Sequence, residues 1–202
     1  MTLNVAHRGN PHDTPESTLV SFASALEVGV DMVEFDVNRL ADGALAVMHD
    51  PTVDRCTDGS GALAKMTLAQ VRPLDAGAWF EASFAGERVP TLAETLAAIP
   101  APTLLNMHLK TVRDEDASFE MDVLGHIREA GAYDRALIVH HHQPSLDRLR
   151  EVAPEMRYCL LPMCADGHEY IERASAEGFE VLQPGRGMMS AEFCAAVHEA
   201  GM

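Results

Sequence analysis

Short apolar runs alternate along this chain with longer stretches whose apolar residues recur three and four apart, a rhythm that predicts strands alternating with helices. The first run, residues 3–6, ends in His7-Arg8-Gly9. Thr14-Pro15-Glu16-Ser17 then predicts a helix start, with Thr14 as N-cap, Pro15 in the first turn and Glu16 at the positive end of the dipole. Leu19, Phe22, Ala23 and Leu26 continue that helix to Gly29. Met32-Val33-Glu34-Phe35-Asp36-Val37 reads as a strand, in which alternation puts Glu34 and Asp36 on one face and Val33, Phe35 and Val37 on the other. Asp42-Gly43 predicts a tight turn into a second extended run that ends at His49.

The rhythm is lost over residues 51–89, apart from a short helical piece near 67–71. It resumes with a helix up to residue 99. Strands then follow at 103–110, 135–142, 157–163 and 179–183, alternating with helices at about 118–130, 145–152, 168–177 and 191–200. Strand–helix alternation of this kind predicts parallel sheet. Polar residues gather where strands end, at His7, at Glu34 with Asp36, at His108 with Lys110, at His140 to His142 and at Gln183. That is where a TIM-type (β/α) barrel places its site. The reading is one α/β barrel domain over residues 1–202, apparently truncated after its sixth strand–helix unit, so that strands 7 and 8 are not present. Residues 51–89 form a small insertion over the active face, since so long an irregular stretch in a compact domain is usually functional.

Composition narrows the function. The 202 residues carry 31 acidic and 15 basic side chains, a formal net charge of -16, which argues against a nucleic-acid partner, because binding phosphates needs a basic surface. An anionic small molecule stays open if a metal or a few focused cations reverse the field locally. The four cysteines have no CxxC or zinc-like spacing and read as reduced thiols of a cytoplasmic protein. No stretch resembles a signal peptide or membrane anchor.

Two acids on one face of a buried strand are costly unless a cation compensates them. The stretch from Glu34 to His49 therefore offers two hard oxygen ligands and an imidazole.

His7-Arg8-Gly9, Pro15-Glu16-Ser17-Thr18-Leu19, Gly29 through Val37, Asp42-Gly43, His49-Asp50-Pro51-Thr52, Asp54-Arg55, Gly59-Ser60-Gly61, Leu74-Asp75-Ala76-Gly77 and Val89-Pro90-Thr91-Leu92 together resemble the glycerophosphodiester phosphodiesterase family. The likeness is dense over about the first 110 residues and weaker afterwards. It implies a barrel hydrolase that uses a divalent metal ion, calcium or magnesium, to cut a glycerophosphodiester into glycerol 3-phosphate and an alcohol. By position it implies Glu34 and Asp36 as metal ligands, His7 and His49 as the acid/base pair, and Arg8 and Lys110 close to the substrate phosphate. The chemistry agrees, since a phosphodiester needs its charge neutralised and its alkoxide protonated. Water or the substrate's own hydroxyl can be the nucleophile.

Two features depart from the family. Its third strand normally ends in an acid two residues before the lysine, and here that position is His108. Imidazole suits manganese, zinc or iron better than calcium or magnesium, so either His108 ligates and the site takes a softer cation such as Mn or Zn, or it only hydrogen-bonds a ligated water. One of His140, His141 and His142 is a further candidate for the same pocket. The sequence also stops where relatives continue, which favours a fragment of a longer barrel whose exposed edges can pair with another chain. Beside the diesterase reading stand a catalytically weak phosphate-binding barrel and a lysophospholipid-type phosphodiesterase.

Overall fold

The structure, a computed structural model, describes residues 3–110 and 117–202. They fall into two compact units, residues 1–136 and 137–202.

The first unit is organised around β2 (Met32–Arg39). Along one edge it takes β1 (Val5–His7) in parallel, with His7 opposite Glu34, and beyond it β3 (Leu45–Val47) antiparallel, with Val37 opposite Val47. Along the other edge it takes β4 (Leu104–Leu109) in parallel over its whole length. The Asp42-Gly43 turn is formed as expected, with Gly43 at φ 90°. Val33, Phe35 and Val37 are sealed from solvent and face helix α1 (Leu19–Val28), where the Phe22 ring lies 5.9 Å from that of Phe35.

Helix α1 starts later than the sequence reading has it. Its N-cap is Thr18, whose Oγ1 accepts from Ser21 N at 3.3 Å, and not Thr14. The hydroxyl of Thr14 is instead donated to Asn10 O at 2.7 Å, and Ser17, at φ 57°, gives its N–H to Arg8 O at 3.0 Å. Residues 14–17 are thus used in wrapping the turn after His7.

Between β3 and β4 lie α2 (Leu68–Val71), α3 (Leu92–Ala98) and two single-turn 3₁₀ segments, Leu63–Lys65 and Ala82–Phe84. Residues 51–89 share an apolar interior with the β2–β3 hairpin. Val53, Cys56, Leu63, Val71, Ala76 and Val89 pack together with Leu40, Ala46 and Met48 of the β2–β3 hairpin and its exit. Asp75 ties the far loop by accepting from Gly77 N, Ala78 N and Gly86 N at 2.7–2.9 Å. Trp79 packs edge-on against Phe80. Helix α4 (Ser118–Glu129) follows β4 and packs beside α3.

The second unit holds all but the first residue of β5 (Ala136–His140), parallel to β6 (Arg157–Leu160), with α5 (Gln143–Val152), α6 (Gly167–Ala176) and α7 (Ala191–Glu199). Residues 179–183, read as a sixth parallel strand, carry no strand ladder among the described residues. The N–H of Gln183 goes to the hydroxyl of buried Tyr170 at 3.0 Å, and that hydroxyl donates to Leu160 O. No described helix is long and apolar enough to cross a membrane, and all four cysteines are free thiols.

Candidate functional site

Alternation along β2 turns Glu34 and Asp36 away from Phe35 and toward one surface, yet both remain buried, at 3% and 1% exposure. Parallel register with β4 sets His108 opposite Asp36. One ligand atom from each of Glu34, Asp36 and His108 lies within 4.8 Å of the others, a grouping that can hold a metal ion. The sheet fixes this spacing, because all three are on hydrogen-bonded strands.

Two cations face the acids. Lys110 Nζ stands 3.0 Å from Asp36 Oδ1, and Arg8 Nε 3.7 Å from Asp36 Oδ2. His108 Nδ1 is 3.3 Å from the same Oδ1. These are charge contacts outside hydrogen-bonding geometry, so both Asp36 oxygens are buried without a hydrogen-bond partner, and on the far side of the imidazole His108 Nε2 is likewise buried without one. Burial pushes the Asp36 carboxyl up, but the adjoining His108 imidazole and the Lys110 charge outweigh it and leave the group below its ordinary value. Glu34 goes the other way. Burial, reinforced by the Asp36 charge, raises it to about 8 against the N–H of Arg8, which donates to Glu34 Oε2 at 3.1 Å.

This donor set fits a divalent cation. Lone pairs buried without donors are what an ion would satisfy, and an ion would displace the proton that burial holds on Glu34. Two carboxylates and one imidazole make a mixed oxygen–nitrogen set.

Two further histidines, His7 and His49, stand near this cluster. His7, at the end of β1, has Nε2 3.8 Å from Glu34 Oε2, and burial together with the Arg8 charge depresses its pKa, which favours neutral imidazole. His49 follows β3, where Met48 is pinned twice: its N–H donates to Asp36 O at 3.0 Å and its carbonyl accepts from Asn38 Nδ2 at 2.6 Å.

Arg8 is held in an unusual way. It has a left-handed backbone, φ 61°, and its guanidinium donates to Glu16 Oε1 at 2.9 Å. The next residue must be glycine. Gly9 is at φ 86°, and a Cβ there would collide with Ser21, whose backbone carbon would lie 2.8 Å away.

All seven residues singled out by sequence, His7, Arg8, Glu34, Asp36, His49, His108 and Lys110, therefore come together in the first unit. His140 to His142 lie in the second, where His141 N donates to His140 Nδ1 at 3.0 Å and His142 Nδ1 lies 3.0 Å from Ser145 Oγ. Sequence reasoning missed Glu16 and Asp50. Both stand in the motifs that carry the family likeness, Glu16 directly after Pro15 and Asp50 between His49 and Pro51. The guanidinium of Arg55 donates to both carboxylates.

The chain is similar to known proteins. The profile of the glycerophosphoryl diester phosphodiesterase family matches residues 7–166. A glycerophosphodiester phosphodiesterase of Caldanaerobacter subterraneus is 38% identical over 164 residues, covering 81% of this chain and 68% of that protein. One from Bacillus subtilis is 41% identical over 102 residues, covering 46% of this chain and 35% of that protein. Among solved structures, a glycerophosphodiester phosphodiesterase of Agrobacterium tumefaciens superposes with a TM-score of 0.84 at 28% identity, covering all of this chain and 84% of that one. A phosphodiesterase of Oleispira antarctica, solved in complex with the product sn-glycerol-3-phosphate, gives 0.88 at 26% identity, covering all of this chain and 82% of that one. The fold class is the TIM-type α/β barrel. Because the matched stretch opens on His7 and takes in every residue of the site, fold, site and likeness point one way, and the chain belongs to the glycerophosphoryl diester phosphodiesterase family.

Proposed function

We propose that this chain hydrolyses glycerophosphodiesters to glycerol 3-phosphate and an alcohol, using a divalent cation held by Glu34, Asp36 and His108. The observation that carries the reading is the cluster of these three side chains, with both carboxylates buried, His7 3.8 Å from Glu34 and His49 close enough to act on Asp36. A bound cation supplies Lewis-acid neutralisation of the phosphate charge. Arg8 and Lys110 add positive charge beside Asp36, which suits an anionic small molecule even in so acidic a chain.

His7 and His49 form the acid/base pair, one taking the proton of the attacking hydroxyl and one returning a proton to the departing alkoxide. With an imidazole among the ligands, manganese or zinc is preferred over calcium or magnesium. We assign the chain to the cytoplasm, in keeping with its four free thiols.

The test is turnover of a small panel of glycerophosphodiesters, glycerophosphocholine among them, by metal-stripped protein reloaded with each cation in turn. Turnover with manganese or zinc that disappears in His49→Ala supports the proposal. Phosphodiester binding without turnover in any metal overturns it.

A further inference from the structure

Beside the metal-ligating cluster runs a continuous chain of charged hydrogen bonds that binding and proton transfer do not themselves require. His49 Nδ1 lies 2.7 Å from Asp50 Oδ1. Arg55 grips both oxygens of Asp50, at 2.6 Å through Nε and 3.1 Å through Nη2. The same guanidinium donates to both oxygens of Glu16, at 2.8 and 2.9 Å, and Glu16 Oε1 in turn accepts from Arg8. Two fork-like arginine–carboxylate contacts thus join residue 49 to residue 8. Such pairs are directional as well as strong.

From this geometry we infer that Asp50, clamped by Arg55, is a positioning residue that fixes His49 as its Nδ1–H tautomer and leaves Nε2 to move the proton, while Glu16 locks Arg8 to the same frame. The inference rests on the acid/base role proposed for His49.

The reasoning is one of donors and acceptors. Arg55 holds the Asp50 carboxyl well below the usual carboxylate range, so Asp50 is ionised and can only accept. The short contact at Nδ1 therefore requires the proton on Nδ1, and the lone pair of the neutral ring falls on Nε2. A carboxylate behind an imidazole acts in this way in other hydrolases, by orientation and tautomer choice and without taking the proton itself. Arg55 cannot swing away from Asp50 without also leaving Glu16. The device is half-exposed at Arg55 but better shielded at Glu16 and Asp50, where side-chain exposure is 13% and 22%.

Three measurements on the metal-loaded protein test this. In wild type, the ¹⁵N shifts of the His49 ring, assigned by their loss in His49→Ala, are expected to report protonated Nδ1 and bare Nε2. In Asp50→Asn, kcat is expected to fall by about 10²-fold or more with KM changed less than about twofold, because the inferred role of Asp50 is to orient His49 and not to bind substrate. In Arg55→Gln, a smaller loss of kcat, about tenfold, is expected to accompany a mixture of His49 tautomers.

A wild-type ring protonated on Nε2 overturns the inference and needs no variant that folds. So does Asp50→Asn with native melting behaviour and kcat within about threefold of wild type. If wild type turns over no glycerophosphodiester, the proposed activity fails while the tautomer measurement still decides this inference.

Discussion

Loading the site with a cation should release a proton at neutral pH, because Glu34 cannot act as a carboxylate ligand while it holds one. Its raised value of about 8 implies that about nine tenths of the metal-free protein carries that proton at pH 7, and about a quarter at pH 8.5. Binding should therefore release close to one proton at pH 7 and about 0.25 at pH 8.5, with apparent affinity weakening about tenfold for each unit below pH 8. Titration calorimetry with manganese measures this directly. At each pH the heat is recorded in buffers of different ionisation enthalpy, and the slope against that enthalpy is the number of protons released. Glu34→Gln, which has no carboxyl proton to lose, should lose most of that slope and bind weakly. A wild-type slope near zero at pH 7, or one as steep at pH 8.5, would refute the picture of a buried acid neutralised until a metal arrives.

The same buried acid should shape stability without metal. Between its ordinary value of 4.5 and about 8 the native state holds a proton that the unfolded chain lacks, so urea unfolding in chelator should show stability falling as pH rises through that window. The slope should reach at most ~1.4 kcal/mol per pH unit, and saturating metal should flatten it. His108→Glu should restore a hard third ligand and shift the activating cation from manganese or zinc toward magnesium or calcium, read as a changed order of activation in metal-stripped protein. Gly9→Ala, forced into a left-handed conformation against the Ser21 backbone, should cost at least ~1–3 kcal/mol and raise KM by misplacing Arg8, checked by thermal melting and steady-state kinetics. Phe35→Ala should cost ~3–5 kcal/mol from the sealed face of β2, seen as a lower urea midpoint.

Legibility in the sequence followed how local the responsible physics is. The two-residue period of a strand is a local rule, so the shared face of Glu34 and Asp36 and the matching face of His108 and Lys110 could be read directly. Their meeting across β2 and β4 depends on register, which the family likeness supplied and periodicity did not. The start of α1 was misread because Thr14-Pro15-Glu16 is a sound local helix opening, overruled by a long-range demand: Ser17 and Thr14 serve the turn that carries Arg8. Residues 179–183 looked like a strand by apolar content alone, but a ladder needs free neighbouring backbone groups, and the N–H of Gln183 is taken by Tyr170. The link from Arg55 to Glu16 spans 39 positions, and no spacing rule reaches so far.

The interior shared between residues 51–89 and the hairpin gives those residues a role beyond cover. Met48 and Ala46, beside His49, pack in the same cluster as Leu63, Val71 and Val89, and Arg55 springs from this segment. A local opening of the segment, far cheaper than global unfolding, would withdraw Arg55 from Asp50 and leave His49 unsupported while the β1–β2–β4 sheet stayed intact. Truncating Val71 should therefore announce itself in faster amide hydrogen exchange across residues 51–89 and in lost turnover before the main melting transition moves.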